Sequence, residues 1–265
     1  MNEVRSLREV ESRSPAVTRA VAVLEEVARS RDPLGVSALA RRLGLAKSTI
    51  ANLCTALETT GMVRRVGDGW LLGYKIYELG EQFRAGTDLV AEFERLAARL
   101  PVASAETLLL AVLDGTEVVY LGRHGGRQPV RLACDTGLRM PAVVTALGKA
   151  MLAQLPWREC ESRLKSIREL PMRTESSHTT IAAVRADIEE ARCRGYGIDN
   201  GENIEGISCF SVAIPGRMEP PTAVSVTLLS SRATPEHTAA LVADLNVLAG
   251  ELSRLVDLEH RERSR

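Results

Sequence analysis

The chain has 265 residues, 34 basic and 34 acidic side chains that cancel to a formal net charge of zero, 45% apolar residues and only 3% aromatic residues. One large folded domain or two modest ones fit these values, whereas a disordered chain or an aromatic-lined RNA-stacking module does not. No run approaches the roughly 20 apolar residues of a membrane helix, and residues 1–14 carry both charge signs without the apolar core of a signal peptide, so a cytoplasmic protein is expected.

The five cysteines (Cys54, Cys134, Cys160, Cys193, Cys209) form an odd, scattered set without a Cys-x-x-Cys pair. That pattern argues against a disulfide framework or a zinc ribbon, and reduced thiols are expected. The neutral total hides an asymmetry: residues 1–80 hold 12 basic against 9 acidic groups, a net of +3, which leaves 22 against 25, or −3, for residues 81–265. Phosphate binding draws on excess Lys and Arg, so the two parts are read separately.

Residues 1–13 are polar, without apolar periodicity, and are expected to form a disordered arm. Ser14-Pro15 then opens a helix, with Ser14 as cap and Pro15 at the first position, where its missing N–H costs nothing. Val17, Ala20, Val21, Leu24 and Val27 form its apolar stripe. Ser37 is expected to cap a short helix through Leu43, Gly44 a tight turn, and Ala46-Lys47-Ser48-Thr49 the start of a second helix reaching about Thr60. Counted from Val36, the small Ala40, the turn Gly44 and the apolar Ile50 and Leu53 stand where two steeply crossing helices need them, which is a helix-turn-helix pattern. An ordinary helical hairpin with a glycine corner is the bland alternative. Gly61 ends the second helix, residues 62–66 read as a strand, Gly67-Asp68-Gly69 as a turn and residues 70–72 as a returning strand. A hairpin edged by Arg64 and Arg65 directly after a helix-turn-helix makes a winged helix.

Residues 73–100 read as one long helix with an apolar stripe at Ile76, Leu79, Phe83, Leu89, Phe93 and Leu96, interrupted near Gly86 and stopped before Pro101. Strands follow at 107–113, 118–121 and 130–134, helices at 146–154, 157–167 and 181–194, strands at 207–214 and 223–229, and a last amphipathic helix at 235–258. The expected fold class is α+β, with segments 1–13 (arm), 14–73 (winged helix-turn-helix), 74–100 (linker helix), 101–258 (an α/β domain on a mainly antiparallel sheet) and 259–265 (tail).

These residues resemble the IclR-type bacterial transcriptional regulators from about Ser14 to Val256. The resemblance rests on Arg19-Ala20-Val21-Ala22-Val23-Leu24, on Leu39-Ala40-Arg41-Arg42-Leu43-Gly44-Leu45-Ala46-Lys47-Ser48-Thr49, and on the wing ending in Leu72-Gly73. It continues through Leu113-Asp114-Gly115, Val118-Val119-Tyr120-Leu121, Thr145-Ala146-Leu147-Gly148-Lys149-Ala150, Gly195-Tyr196-Gly197-Ile198-Asp199 and Ser230-Ser231-Arg232. It implies a GAF-like effector-binding C-terminal domain and dimers or tetramers on palindromic double-stranded DNA operators.

At the DNA, the second helix of the motif would present its N-terminal N–H groups together with Lys47, Ser48 and Thr49 to phosphates or base edges. One turn further, Asn52 suits a bidentate contact to adenine. Arg42 on the preceding helix and Arg64 and Arg65 on the wing would hold phosphates or enter the minor groove. The alternative is that Ser48 only caps its helix and the arginines are solvated.

For the effector, the resemblance implies a small carboxylate bound by the backbone N–H groups of Ala146 and Leu147. Asp199, Cys209, Ser225 and Thr227 match the polar pocket positions, and Leu132, Met140 and Ile207 the apolar wall. Cys209 as a plain buried thiol, and Ser225 and Thr227 as partners of backbone groups, are the alternatives. Gly148-Lys149 is not a phosphate loop, since Val143 stands where its first glycine would be. Three departures from the family pattern, Leu228-Leu229 for Gly-Pro, Val143 for His and Ala213 for Pro, make the surroundings more apolar. They suggest a larger or less polar acid than glyoxylate, or a pocket without a ligand. No cofactor is implied, and no Cys/His/carboxylate cluster has metal-ligand spacing. A cysteine hydrolase using Cys209 and one of His124, His178, His237 or His260 lacks a nucleophile motif, and an architectural DNA binder without a ligand is the remaining alternative.

Overall fold

A computed structural model describes residues 12–85, 88–127, 134–216 and 218–263; the expected arm lies almost wholly outside them, as does Leu132. The chain forms two compact units, Met1–Thr87 and Asp88–Arg265.

The first unit holds α1 (Pro15–Arg29), α2 (Val36–Leu43), α3 (Lys47–Thr59), the hairpin β1 (Val63–Val66) and β2 (Gly69–Leu72), and α4 (Tyr74–Ala85). Val23, Val27, Leu39, Ile50, Cys54 and Trp70 are the centre of its core. The stripe of α1 is turned from the expected one. Val23 and Val27, one turn apart, take the middle of the buried face with Ala20 and Leu24 beside them, while Val17 and Val21 are 62% and 49% exposed. Gly44 adopts the left-handed φ of +64° that ends α2. Ser37 does not cap that helix: Gly35 holds the cap position and Ser37 lies inside the first turn. The wing gains a third rung, because Leu34 and Trp70 exchange two backbone hydrogen bonds of 3.0 Å.

The stretch expected as one helix from 73 to 100 is α4 and α5 (Asp88–Ala97), and residues 86 and 87, where the interruption was expected, lie outside the described residues. The two halves answer to different surroundings. Leu79 and Phe83 of α4 are exposed, whereas Leu89, Val90, Phe93 and Ala97 of α5 are buried in the second unit.

That unit is built on β3 (Thr107–Asp114), β4 (Glu117–His124), β5 (Arg139–Pro141), β6 (Gly197–Asn200), β7 (Ile207–Ala213) and β8 (Thr222–Leu229), joined in the order β5-β4-β3-β8-β7-β6 with every pair antiparallel. One face packs on α5 and α9 (Pro235–Arg263) through Leu108, Leu110, Val224 and Val226, against Phe93, Leu241, Leu245 and Leu248. The other packs on α6 (Ala146–Gln154), α7 (Trp157–Ser166) and α8 (Ile181–Arg194) through Leu109, Ala111, Ala213 and Ala223. Covering on both faces explains why β3 reads as a continuous apolar run from Leu108 to Leu113. The last helix runs past 258 to Arg263, into the expected tail. Residues 128–133, most of an expected strand, lie outside the described residues.

Candidate functional site

The inner face of α3 is fixed by Ile50, Cys54 and Leu57, which leaves Lys47, Ser48, Asn52, Arg64 and Arg65 exposed and Thr49 half-buried. Ala46 is the cap residue of α3 and no side chain caps the helix, so Ser48 is not its cap. The first N–H groups of α3 therefore keep free hydrogens at the positive end of the helix dipole, an arrangement suited to a phosphate. Thr55, exposed seven residues after Ser48, lies on the same stripe as Ser48 and Asn52 and donates its hydroxyl to Ala51 O at 3.0 Å. The i, i+4, i+7 spacing from Ser48 was the signal that sequence reasoning passed over.

Three arginines differ in their freedom. Arg42 Nη1 pairs with Glu26 Oε2 at 3.3 Å, and Glu26 also holds Arg29 at 2.8 Å, so Arg42 is engaged within the unit. Adjacent on β1, Arg64 and Arg65 project to opposite sides and lie over the Tyr74 and Trp70 rings at 5.7 and 5.2 Å.

In the second unit, the α6 face of the sheet gathers most of the other predicted residues. Asp199 pairs with Cys209, Cys209 with Thr227 and Thr227 with Thr107, a row across four strands. Two residues along, Ser211, Ser225 and Leu109 make the next row, and Ile207 shares the parity of Cys209 on β7. Met140 on β5 is buried in the same core cluster as Leu147. Above these rows stands the first turn of α6. Thr145 Oγ1 accepts from Gly148 N at 3.1 Å, and Lys149 N donates to Thr145 O, so the buried N–H groups of Ala146 and Leu147 are left without partners among the described residues. A Cβ on Gly148 would lie 2.1 Å from Ala142 O, and one on Gly197 2.3 Å from Ala146 O, so both glycines are required for α6 to sit this close to its neighbours.

Burial pushes the Asp199 carboxyl up to about 6, against the lowering effect of the Glu202 and Asn203 N–H groups that donate to its Oδ1 at 2.8 and 3.2 Å. Burial also raises the Cys209 thiol well above its usual range, helped by the charge of Asp199. A protonated thiol is a poor nucleophile. The three histidines whose side chains are described are engaged elsewhere: His124 with Ser104 O, His178 with Asp187, and His237 beside Glu106. Of the departures from the family pattern, Val143 and Ala213 belong to the core on the α6 side of the sheet, whereas Leu228 packs on the α5 and α9 side. Tyr120, buried near Cys209, Asp199, Cys134 and Arg173, is a wall residue that the sequence reading missed.

Sequence spacing also hid a charged cluster. Donor atoms of His178, Asp187 and Glu202 lie within 4.8 Å of one another, brought together from a loop, α8 and the turn after β6. The fully buried Lys149 ammonium reaches Asp187 Oδ2 and Glu202 Oε1, each at 2.5 Å, and Ile198 O at 2.9 Å. Its three donors are satisfied, and it serves as the cation of the cluster.

The profile of the IclR helix-turn-helix domain matches residues 16–67, and that of the bacterial transcriptional regulator IclR C-terminal domain matches residues 83–254. The probable transcriptional regulator SauR of Cupriavidus necator is 31% identical over 249 residues, covering 89% of this chain and 95% of that protein. The transcriptional repressor IclR of Escherichia coli is 28% identical over 243 residues, covering 90% and 88%. An IclR homologue from Microbacterium hydrocarbonoxydans, solved in complex with 4-hydroxybenzoate, has the same fold, with a TM-score of 0.72, 24% identity and coverage of 91% of this chain and 99% of that one. These families are regulators of transcription and not enzymes. A helix-turn-helix with an open recognition helix, joined in one chain to an antiparallel sheet domain with an anion-ready helix start, belongs to the IclR family of bacterial transcriptional regulators.

Proposed function

We propose that this regulator binds a palindromic operator as a dimer or tetramer, acts as a repressor, and changes its operator affinity when a small organic acid larger than glyoxylate enters the chamber under α6. The observation that carries the effector assignment is the pair of unpaired, buried N–H groups of Ala146 and Leu147, facing a wall of Asp199, Cys209, Ser225 and Thr227. Two free N–H groups at a helix N-terminus favour a carboxylate over a neutral ligand. The name of the Escherichia coli relative supports the repressor reading, and the 4-hydroxybenzoate bound by the Microbacterium homologue supports an acid of more than two carbons.

At the DNA, Lys47, Ser48, Thr49, Asn52 and Thr55 on α3 contact the major groove, with Arg64 and Arg65 on the flanking phosphates or minor groove. A net charge of +3 in residues 1–80 gives weak binding alone, and symmetric pairing adds a second half-site. No helix among the described residues is long and apolar enough to cross a membrane, which agrees with a cytoplasmic regulator. The test is a gel shift on operator fragments at several salt concentrations, with and without a panel of aliphatic and aromatic acids. Affinity should fall steeply with salt and shift with at least one acid. A flat salt dependence would reject the DNA assignment, and indifference to every acid would leave an architectural DNA binder.

A further inference from the structure

A β-bulge decides which residues of β4 face the chamber. Strands β3 and β4 pair evenly from Leu113 opposite Val118 to Ala111 opposite Tyr120; the register then slips, and Leu110 meets Gly122 and Leu109 meets Arg123. Ala111 and Leu109 are two apart and share the α6 face. Their partners Tyr120 and Arg123 are three apart, and in an unbroken strand would point to opposite sides. The extra residue, Leu121, re-aims Arg123 to the side occupied by Tyr120, Ser225 and Ser211. Gly122 keeps the other face: a Cβ there would lie 3.0 Å from the Phe93 ring.

Neither Tyr120 nor Arg123 has a side-chain partner among the described residues. Tyr120 is 4% exposed and its hydroxyl makes no hydrogen bond; Arg123 makes no hydrogen bond or ion pair, and its Nε is fully enclosed. Buried phenols and guanidinium nitrogens are normally paired, and arginine has no neutral form to fall back on. Both groups border the same thiol. Burial raises Cys134, the Arg123 charge pulls against that rise, and Cys134 in turn neighbours Tyr120 and Cys209. Asp135, which also borders Cys134, makes no ion pair with Arg123.

The chamber thus has a permanent cation and a hydroxyl donor on β4 in addition to the two free N–H groups of α6. We propose that its effector is a small dicarboxylate, with one carboxylate on the N–H groups of Ala146 and Leu147 and the other on Arg123 and Tyr120. The proposal rests on the reading of this chamber as the effector site, and it replaces a less polar ligand with a doubly acidic one.

Calorimetry on the full-length protein tests it with malonate, succinate, glutarate and adipate against monocarboxylates of equal chain length. At the best-fitting length the diacid should bind about tenfold to a hundredfold tighter than its matched monoacid, as expected for a charge-assisted second grip. Arg123→Gln should bring that ratio to within about threefold, chiefly by weakening the diacid, Arg123→Lys should restore part of it, and Tyr120→Phe should reduce it several-fold. Because Arg123 has no partner among the described residues to orphan, these variants should melt with the wild type. A wild-type ratio below about threefold, or a ratio that survives Arg123→Gln, overturns the proposal and leaves the effector reading standing. Failure of both acid series to bind the wild type overturns both.

Discussion

Asp199→Asn offers the sharpest test of the chamber, because it reverses the usual expectation that replacing a buried charged residue destabilises. The folded state raises this carboxyl from 3.8 to about 6. Between those values the folded protein binds more protons than the unfolded chain, so stability is lost as pH rises from about 4 to about 6. Two pH units correspond to roughly 3 kcal/mol. Asparagine cannot ionise, and its Oδ1 can still accept from Glu202 N and Asn203 N. The raised value already includes the effect of those hydrogen bonds, so the variant should gain about 3 kcal/mol at pH 7.5 and about 1 kcal/mol at pH 4.5. Urea unfolding followed by Trp157 fluorescence in a Trp70→Phe background isolates the second unit, since Trp70 is the other tryptophan of the chain and lies in the first. A variant less stable than its parent at pH 7.5, or a stability difference that does not change between the two pH values, would refute the assignment of burial as the dominant cause.

Five further outcomes are expected. Lys149→Met leaves Asp187 and Glu202 without their cation and should cost about 3–5 kcal/mol in the same unfolding assay. Gly148→Ala drives a methyl group into the Ala142 carbonyl and should cost about 1–3 kcal/mol while weakening acid binding. Lys47→Ala should weaken operator binding across sequences and reduce the salt slope by about 1, whereas Asn52→Ala should cost about 1–3 kcal/mol at one base position and relax specificity there, both read by fluorescence anisotropy. An anion bound in the chamber should favour protonated Asp199, so effector binding at pH 7 should take up protons; calorimetry in buffers of different ionisation enthalpy measures this, and Asp199→Asn should abolish it.

What could be read from the sequence follows from where each signal is local. The glycine corner at Gly44, the wing turn and the α6, α8 and α9 helices announce themselves through caps, turn residues and apolar period within about a dozen residues. β6 is only Gly-Ile-Asp-Asn and β5 only three residues, too short for a period to register, and both are strands because neighbouring β7 and β4 supply hydrogen-bond partners. The phase of α1 was misplaced because Val17 and Val21 are as apolar as Val23 and Val27, and only the core beneath selects the face. Asp199, Cys209, Ser225 and Thr227, named from family motifs, lie on one face of the sheet, as the alternation along their strands allows. Tyr120 and Arg123 could not be grouped in this way, since alternation along β4 puts them on opposite faces and the bulge that reunites them is set by pairing with β3. The Lys149 cluster joins residues 149, 187 and 202, a separation at which no motif spacing operates.

That cluster also fixes one wall of the proposed chamber. A buried lysine with two carboxylates contributes little net stability compared with an apolar filling, but it fixes geometry. Here it ties α6 to α8 through Asp187, to β6 through Ile198 O, and to the turn whose Glu202 N–H is held by Asp199. With Gly148 and Gly197 bringing backbone within contact distance, the first turn of α6 has no room to retract or tilt. If that turn holds one acidic group of the ligand, as proposed, it holds it at one place. Ligand length and the character of the far end must then be set across the sheet, on β4, where the bulge at Leu121 alone determines whether Arg123 faces the ligand or the α5 and α9 core. Pairing the same residues without the bulge would set Gly122 opposite Leu109 and turn Arg123 toward the α5 and α9 side, removing the cation without touching any residue that meets the first carboxylate.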